Sequence, residues 1–205
     1  MTANATQDTP RGTQEPLHVA VIIGSTRDGR FGPTVADWFV AQAAQRHPEF
    51  DLDVVDLAEA DLPLTMTGFG QPRPPAVADL APRLTAADAF VVVTPEYNHS
   101  FPAALKNAID WYHSEWSRKP VAFVSYGGVS GGLRAVQQLR HVFIELSAVP
   151  IRDTVSFHEY WTQFAEDKSW PLPSEARDTA VRSLLDQLFW AGKTLRAGRR
   201  EAVAA

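Results

Sequence analysis

The chain has 205 residues, 45% hydrophobic and 21% charged, with a formal net charge of −5. That length suits one domain with a sizeable core, and the acidic balance gives no general attraction to nucleic acid or to an anionic membrane. There is no cysteine, which excludes disulfides, thiolate metal sites, iron–sulfur clusters and thiol nucleophiles together and fits a reducing compartment such as the cytoplasm.

Residues 1–16, MTANATQDTPRGTQEP, are polar and lack an apolar segment. They are expected to form a disordered tail rather than a signal peptide. No apolar run approaches the length that crosses a bilayer. LHVAVII (17–23) is a short β-branched run that stops at Gly24 and reads as a strand. PTVADWFVAQAAQR (33–46) opens on a proline suited to a first helical turn, with Val35, Trp38, Phe39 and Ala43 at helical spacing. FDLDVVDL (50–57) alternates as a strand does, and a Pro- and Gly-rich surface loop follows. AVADLAPRLTAA (76–87) reads as a helix that Pro82 must kink or end. The apolar run 88–94 is a strand, PAALKNAIDWYHS (102–114) a second proline-started helix, and KPVAFVSYGG (119–128) a strand running into glycines. Residues 131–147 form a helix, 149–157 a fifth strand interrupted by Pro150, and 174–196 a closing amphipathic helix with Ser174 as its N-cap. One domain is expected over 17–197, with 198–205 frayed.

Strands alternating with helices imply a parallel sheet covered on both faces. Five of them favour the strand order 2-1-3-4-5, in which ligands bind at the C-terminal strand ends beside the switch point between strands 1 and 3. The loops after strands 1, 3 and 4 should therefore build the site, and these three have unusual sequences.

The first, Gly24-Ser25-Thr26-Arg27 onward to Thr34, leads into a helix N-terminus. Such an end offers unpaired N–H groups and a partial positive charge, which suit an anion. Ser25 and Thr26 supply hydroxyls, Arg27 and Arg30 charge-assisted donors, and Gly24, Gly29 and Gly32 a backbone free to turn. A plain capped turn would carry some of these residues too. A phosphate-gripping P-loop fails because no Gly-Lys-Ser/Thr occurs here. A dinucleotide fingerprint fails on glycine spacing, although Asp56 stands where a ribose-binding acid would. The second loop, Thr94 to Ser100, mixes acid, aromatic, amide, imidazole and hydroxyl. Tyr97 suits a planar ligand and Asn98 a heteroaromatic edge, while local capping by Asn98 and Ser100 is the simpler alternative. His99 has no partner at metal-ligand spacing, so no metal site is expected. The third loop, Ser125 to Gly132, has four glycines in six positions, which let backbone lie against a flat ligand.

Gly24-Ser25-Thr26-Arg27, Pro95-Glu96-Tyr97-Asn98 and Ser125 through Gly132, in this order on successive loops, resemble the NADPH-dependent FMN reductase family, which also contains quinone and azo-dye reductases. The likeness covers about 17–147. It implies a flavodoxin-like three-layer α/β sandwich and an enzyme that passes hydride from NADPH (or NADH) to bound FMN and on to a quinone, azo compound, flavin or similar small-molecule acceptor. The cofactor-binding residues it implies are Ser25, Thr26, Arg27, Arg30, Gly32 and Thr34 at the phosphate, with Pro95, Glu96, Tyr97, Asn98, Ser125, Gly127 and Gly128 around the ring. No side chain is assigned as catalytic acid, base or nucleophile. Many relatives carry Ser and Asn where this chain has Arg30 and Gly32, so backbone amides near Gly32 and Thr34 are expected to replace those bonds. The family also implies a homodimer, or a dimer of such dimers, in the cytoplasm. Trp111, Tyr112 and Trp116 either support that interface or fill the monomer core. The alternatives are a non-catalytic flavodoxin-like electron carrier, or FMN-dependent regulatory protein, and a dinucleotide enzyme of Rossmann type.

Overall fold

A computed structural model of the chain describes residues 15–204, apart from residues 69 and 168. The expectation for residues 1–14 lies outside the described residues. Five strands, β1 (Leu17–Ile23), β2 (Phe50–Asp56), β3 (Ala89–Pro95), β4 (Pro120–Tyr126) and β5 (Val149–Phe157), form one parallel sheet in the order β2-β1-β3-β4-β5. Between them run α1 (Gly32–Arg46), a single turn α2 (Leu57–Ala60), α3 (Pro75–Ala86), α4 (Ala103–Trp111) and α5 (Leu133–Glu145), and α6 (Glu175–Ala204) closes the chain. This is the flavodoxin-like sandwich that the strand–helix alternation predicts.

The period of two in β1 divides the core. Leu17, Val19, Val21 and Ile23 pack with Trp38 and Phe39 of α1 and Leu184 and Leu188 of α6. Ala20 and Ile22 point the other way, toward Leu80 of α3, Leu105 of α4 and Leu139 of α5. Central strands buried on both sides must be apolar throughout, and β3 and β4 are buried at all positions.

Several expectations need correction. Of the two outcomes expected at Pro82, a kink or an end, the end is excluded, because α3 runs through it. The proline is exposed, so the carbonyl it leaves without a donor faces water, where the loss is small. β5 continues past Pro150 at the sheet edge, where a missing donor is tolerated. The ladder is irregular directly after it: Pro150 pairs with Val121 and the next partner, Thr154, with Phe123, so the expected interruption is a bulge in β5 rather than a break. Residues 198–204, expected to fray, continue α6, with Arg199 bonded to Asp88 at 2.9 Å and to the Arg118 carbonyl at 2.8 Å. Trp111, Tyr112 and Trp116 are buried in the core, their polar tips bonded to the Pro63, Val77 and Ile109 carbonyls. They lend no support to an interface. Ser174 does cap α6, its hydroxyl accepting from Arg177 N–H at 3.3 Å.

Candidate functional site

The sheet register brings the three loops together, since Ile23 pairs with Val93 and Pro95 with Tyr126. They enclose a cleft of about 290 Å³ at the C-terminal strand ends. Among the residues expected at a cofactor, Arg27, Arg30, Pro95, Glu96, Tyr97, Gly127 and Gly128 line it.

In the first loop, Arg30 N–H closes a turn on the Arg27 carbonyl at 3.1 Å. α1 then begins at Gly32 with no side-chain cap. A Cβ on Gly32 would lie 2.7 Å from Ile23 Cγ2, so only glycine lets the helix start this close to the sheet. Gly32 and Thr34 stand in the first turn, whose N–H groups have no acceptor four residues back; Pro33 has none to offer. The exposed Arg27 guanidinium has no hydrogen bond or ion pair to the described residues. Arg30, by contrast, is paired with Asp56. Ser25 is fully buried, its Oγ 2.7 Å from the Tyr97 hydroxyl, so it fastens the first loop to the second. Thr26 faces a neighbouring groove beside Leu57, Leu62 and Asn107.

The second loop is a tight hairpin. Tyr97 and Ser100 exchange both N–H···O bonds, at 2.8 and 2.9 Å, around Asn98 and His99. Both central residues take positive φ, 49° and 68°, as the favoured hairpin turn requires. Asn98 therefore sits exposed at the tip rather than on the cleft wall. Glu96 reaches across to the third loop and accepts from Ser130 Oγ at 2.5 Å, Arg134 N–H at 3.1 Å and Arg134 Nη1 at 2.8 Å. Burial would raise its carboxyl, but the Ser130 and Arg134 bonds outweigh burial and its pKa is lowered. Glu96 stays an anion that braces the two loops.

In the third loop Gly131 and Gly132 have φ of 59° and 88°. A Cβ at Gly132 would meet Ser125 Cβ at 2.6 Å, and one at Gly131 would run into Ser156 Oγ. The hydroxyls of Ser125 and Ser156 both donate to the Gly131 carbonyl at 2.8 Å. Ser125 thus shapes the loop from below.

The cleft also contains residues that the sequence reading missed. Phe31, Tyr126 and Tyr160 form its aromatic wall, with ring centroids 4.8 Å apart for Phe31–Tyr160 and 5.5 Å for Tyr126–Tyr160. Burial pushes the Tyr126 phenol above its ordinary range, with a hydrogen bond to Ser25 opposing it. Tyr126 ends the apolar β4 and was within reach of a sequence argument. Tyr160 comes from the 158–174 connection, which carries no periodic signal.

An uncommitted arginine, first-turn N–H groups, an aromatic wall and backbone-only glycine edges fit a flat, phosphate-bearing molecule such as FMN. Among the described residues no group of His, Asp and Glu could hold a metal ion, and no helix is long and apolar enough to cross a membrane.

Comparison with known proteins agrees with this geometry. The chain is 40% identical over 144 residues to an NAD(P)H-dependent FMN reductase of Schizosaccharomyces pombe, covering 64% of this chain and 69% of the relative. It is 36% identical over 143 residues to a quinone reductase of Escherichia coli K12, covering 66% and 73%. Among solved structures, FerB of Paracoccus denitrificans, a flavoenzyme NAD(P)H:(acceptor) oxidoreductase, superposes with a TM-score of 0.69 at 26% identity over 86% of this chain and 98% of FerB. An azoreductase of Bacillus anthracis, at 18% identity and a TM-score of 0.54 over 87% and 98% of the two chains, shares the fold. The family model for NADPH-dependent FMN reductases matches residues 17–162, and the chain belongs to that family of FMN-dependent NAD(P)H oxidoreductases.

Proposed function

We propose that the cleft seats FMN with its phosphate at the first turn of α1 and its ring between the Glu96–Tyr97 and Gly127–Gly128 edges, and that a small planar acceptor of the quinone or azo class takes the electrons. The observation that carries this reading is Arg27, an exposed cation with no side-chain partner among the described residues, beside a helix start whose first-turn N–H groups lack acceptors there. When bound, FMN supplies the two-electron chemistry. The protein's part is binding, orientation and exclusion. Arg27 and the N–H groups of Gly32 and Thr34 hold the phosphate; Ser25, Thr26 and Arg30 complete that loop. Pro95, Tyr97 and the backbone of Gly127 and Gly128 bound the ring, while Glu96, Asn98 and Ser125 fix the loops that present them. The Tyr126 ring belongs to the aromatic wall beside the flavin, its hydroxyl lying next to Ser25.

Val129 and Trp161 are 82% and 59% exposed, next to cleft residues Gly128 and Tyr160. An apolar rim of this kind supports assembly as a homodimer, or a dimer of dimers, with the cleft near the subunit boundary, and the cysteine-free sequence fits a cytoplasmic location. The functional experiment is steady-state oxidation of NADPH and NADH by FMN-loaded protein against quinone, azo and flavin acceptors. Turnover that requires FMN and is fastest with a quinone or azo dye is expected. A fully loaded protein that turns over none of them would rule the enzyme reading out. Sedimentation should give at least twice the 22.6 kDa chain mass.

A further inference from the structure

The Arg30–Asp56 pair ties the first site loop to the end of β2, where Asp56 is the register partner of Ile23. Arg30 lies in the connection between β1 and α1 and lines the cleft. Asp56 ends β2 and opens α2. Both side chains are mostly buried, at 22% and 11% exposure. One Asp56 carboxylate oxygen is fixed by Ala58 N–H at 3.0 Å, the other takes Arg30 Nη2. Asp56 therefore cannot follow Arg30 if it moves; Arg30 must come to Asp56. A guanidinium has five donors, and this contact uses one. Nε is shut off from solvent without a partner, which leaves Nη1 and the second Nη2 hydrogen as the donors free to serve the cleft.

We infer that Asp56 is a positioning residue for the cofactor phosphate: it pins the Arg30 guanidinium at the edge of the first loop, so that the remaining amino hydrogens meet a phosphate held by Arg27 and the α1 first turn. The inference rests on the functional reading above and adds to it a residue from a strand outside the three site loops. It also gives the acid at the end of β2 a role other than binding a ribose. A tethered arginine loses less side-chain freedom when it binds an anion than a free one does. This advantage has to exceed the repulsion between the Asp56 carboxylate and the phosphate. Arg30 lies between the two anions and offsets that repulsion.

Dissociation constants for FMN and for riboflavin, which lacks the phosphate, test this by flavin fluorescence quenching in the wild type, Asp56→Asn, Arg30→Gln and the double variant. Asparagine caps a helix as well as aspartate does, so α2 should survive the change. It presents an amide N–H₂ to Arg30, and the tether is lost. Asp56→Asn and Arg30→Gln should each weaken FMN by roughly 10-fold, the scale of one charge-assisted hydrogen bond. The double variant should be no weaker than Arg30→Gln, and riboflavin affinity should stay the same throughout. FMN affinity that is unchanged or higher in Asp56→Asn, additive losses in the double variant, or an equal loss for riboflavin would each overturn the inference while leaving the flavin reading standing. A wild-type chain that takes up no FMN would overturn both.

Discussion

Asp88, at the N-terminal end of the sheet, is 8% exposed and accepts from Arg196 at 3.1 Å, Arg199 at 2.9 Å and His18 N–H at 3.3 Å. Beside it Lys119, 6% exposed, donates to the Leu84 and Thr85 carbonyls at 2.8 Å each. At the opposite end of the same strands, among the described residues, Arg27 has no side-chain partner, the first turn of α1 has no side-chain cap, and Arg30 Nε is buried without an acceptor. One end satisfies its charges internally and closes the last turn of α3 and the end of α6 onto the sheet. The other leaves donors uncommitted around a cleft. Both ends have similar residue types, so composition does not separate the structural end from the binding end. The separation comes from which groups have found protein partners.

Substitutions at the two ends should therefore fail in different ways. The largest loss is expected at the closed end. Asp88→Ala leaves Arg196 and Arg199 facing each other without their anion, which should cost about 3 kcal/mol and lower Tm on the order of 10 °C, read by thermal unfolding. The FMN affinity of the folded fraction should not change.

Gly32→Ala comes next and should disturb both properties. The new methyl would press on Ile23 Cγ2 at 2.7 Å and on the Tyr126 hydroxyl at 3.3 Å. Stability should fall by about 1–3 kcal/mol, and FMN binding should weaken as α1 is pushed from the sheet; chemical denaturation and FMN titration measure the two. Arg27→Ala should act on binding alone. FMN affinity should drop roughly 10- to 100-fold, since hydrogen bonds to charged groups are worth about 1.5–3 kcal/mol, while apo-protein stability stays within about 0.5 kcal/mol.

The remaining effect is a pH slope at the closed end. Burial, ahead of repulsion from Arg199, lowers the Lys119 ammonium from 10.5 to about 8. Between those two values the unfolded chain keeps a proton that the folded chain has released, so this residue's contribution to stability rises with pH across that window. Comparing wild type with Lys119→Met in chemical denaturation from pH 7.5 to 10.5 should show that slope reduced in the variant. Parallel curves would contradict the assignment.

The fold was legible because β1, β3 and β4 are apolar at nearly every position and their helices open on Pro33 and Pro102, signals that survive without tertiary information. α2 escaped notice because one turn has no periodicity, and the end of α6 because its anchor, Asp88, lies more than a hundred residues away in sequence. In the site, loop positions could be read but side-chain directions could not. Ser25, Ser125 and Glu96 are the residue types that bind ligands, yet Ser25 and Glu96 bond across to a neighbouring loop and Ser125 to the Gly131 carbonyl of its own. Thr26 lines a neighbouring groove, and Asn98 is exposed at the hairpin tip. Tyr160 had no local signal because what places it is the backbone bond from its N–H to the Gly127 carbonyl at 3.2 Å.

The central claim is that the open end of the sheet is a phosphate-anchored flavin site. A crystal structure of the chain with FMN tests it most directly. The account predicts the phosphate within hydrogen-bond reach of the Arg27 side chain and the N–H groups of Gly32 and Thr34, with the ring against Tyr97 and Gly127. FMN bound with its phosphate away from the first turn of α1, or no FMN in the cleft at saturating concentration, would contradict it.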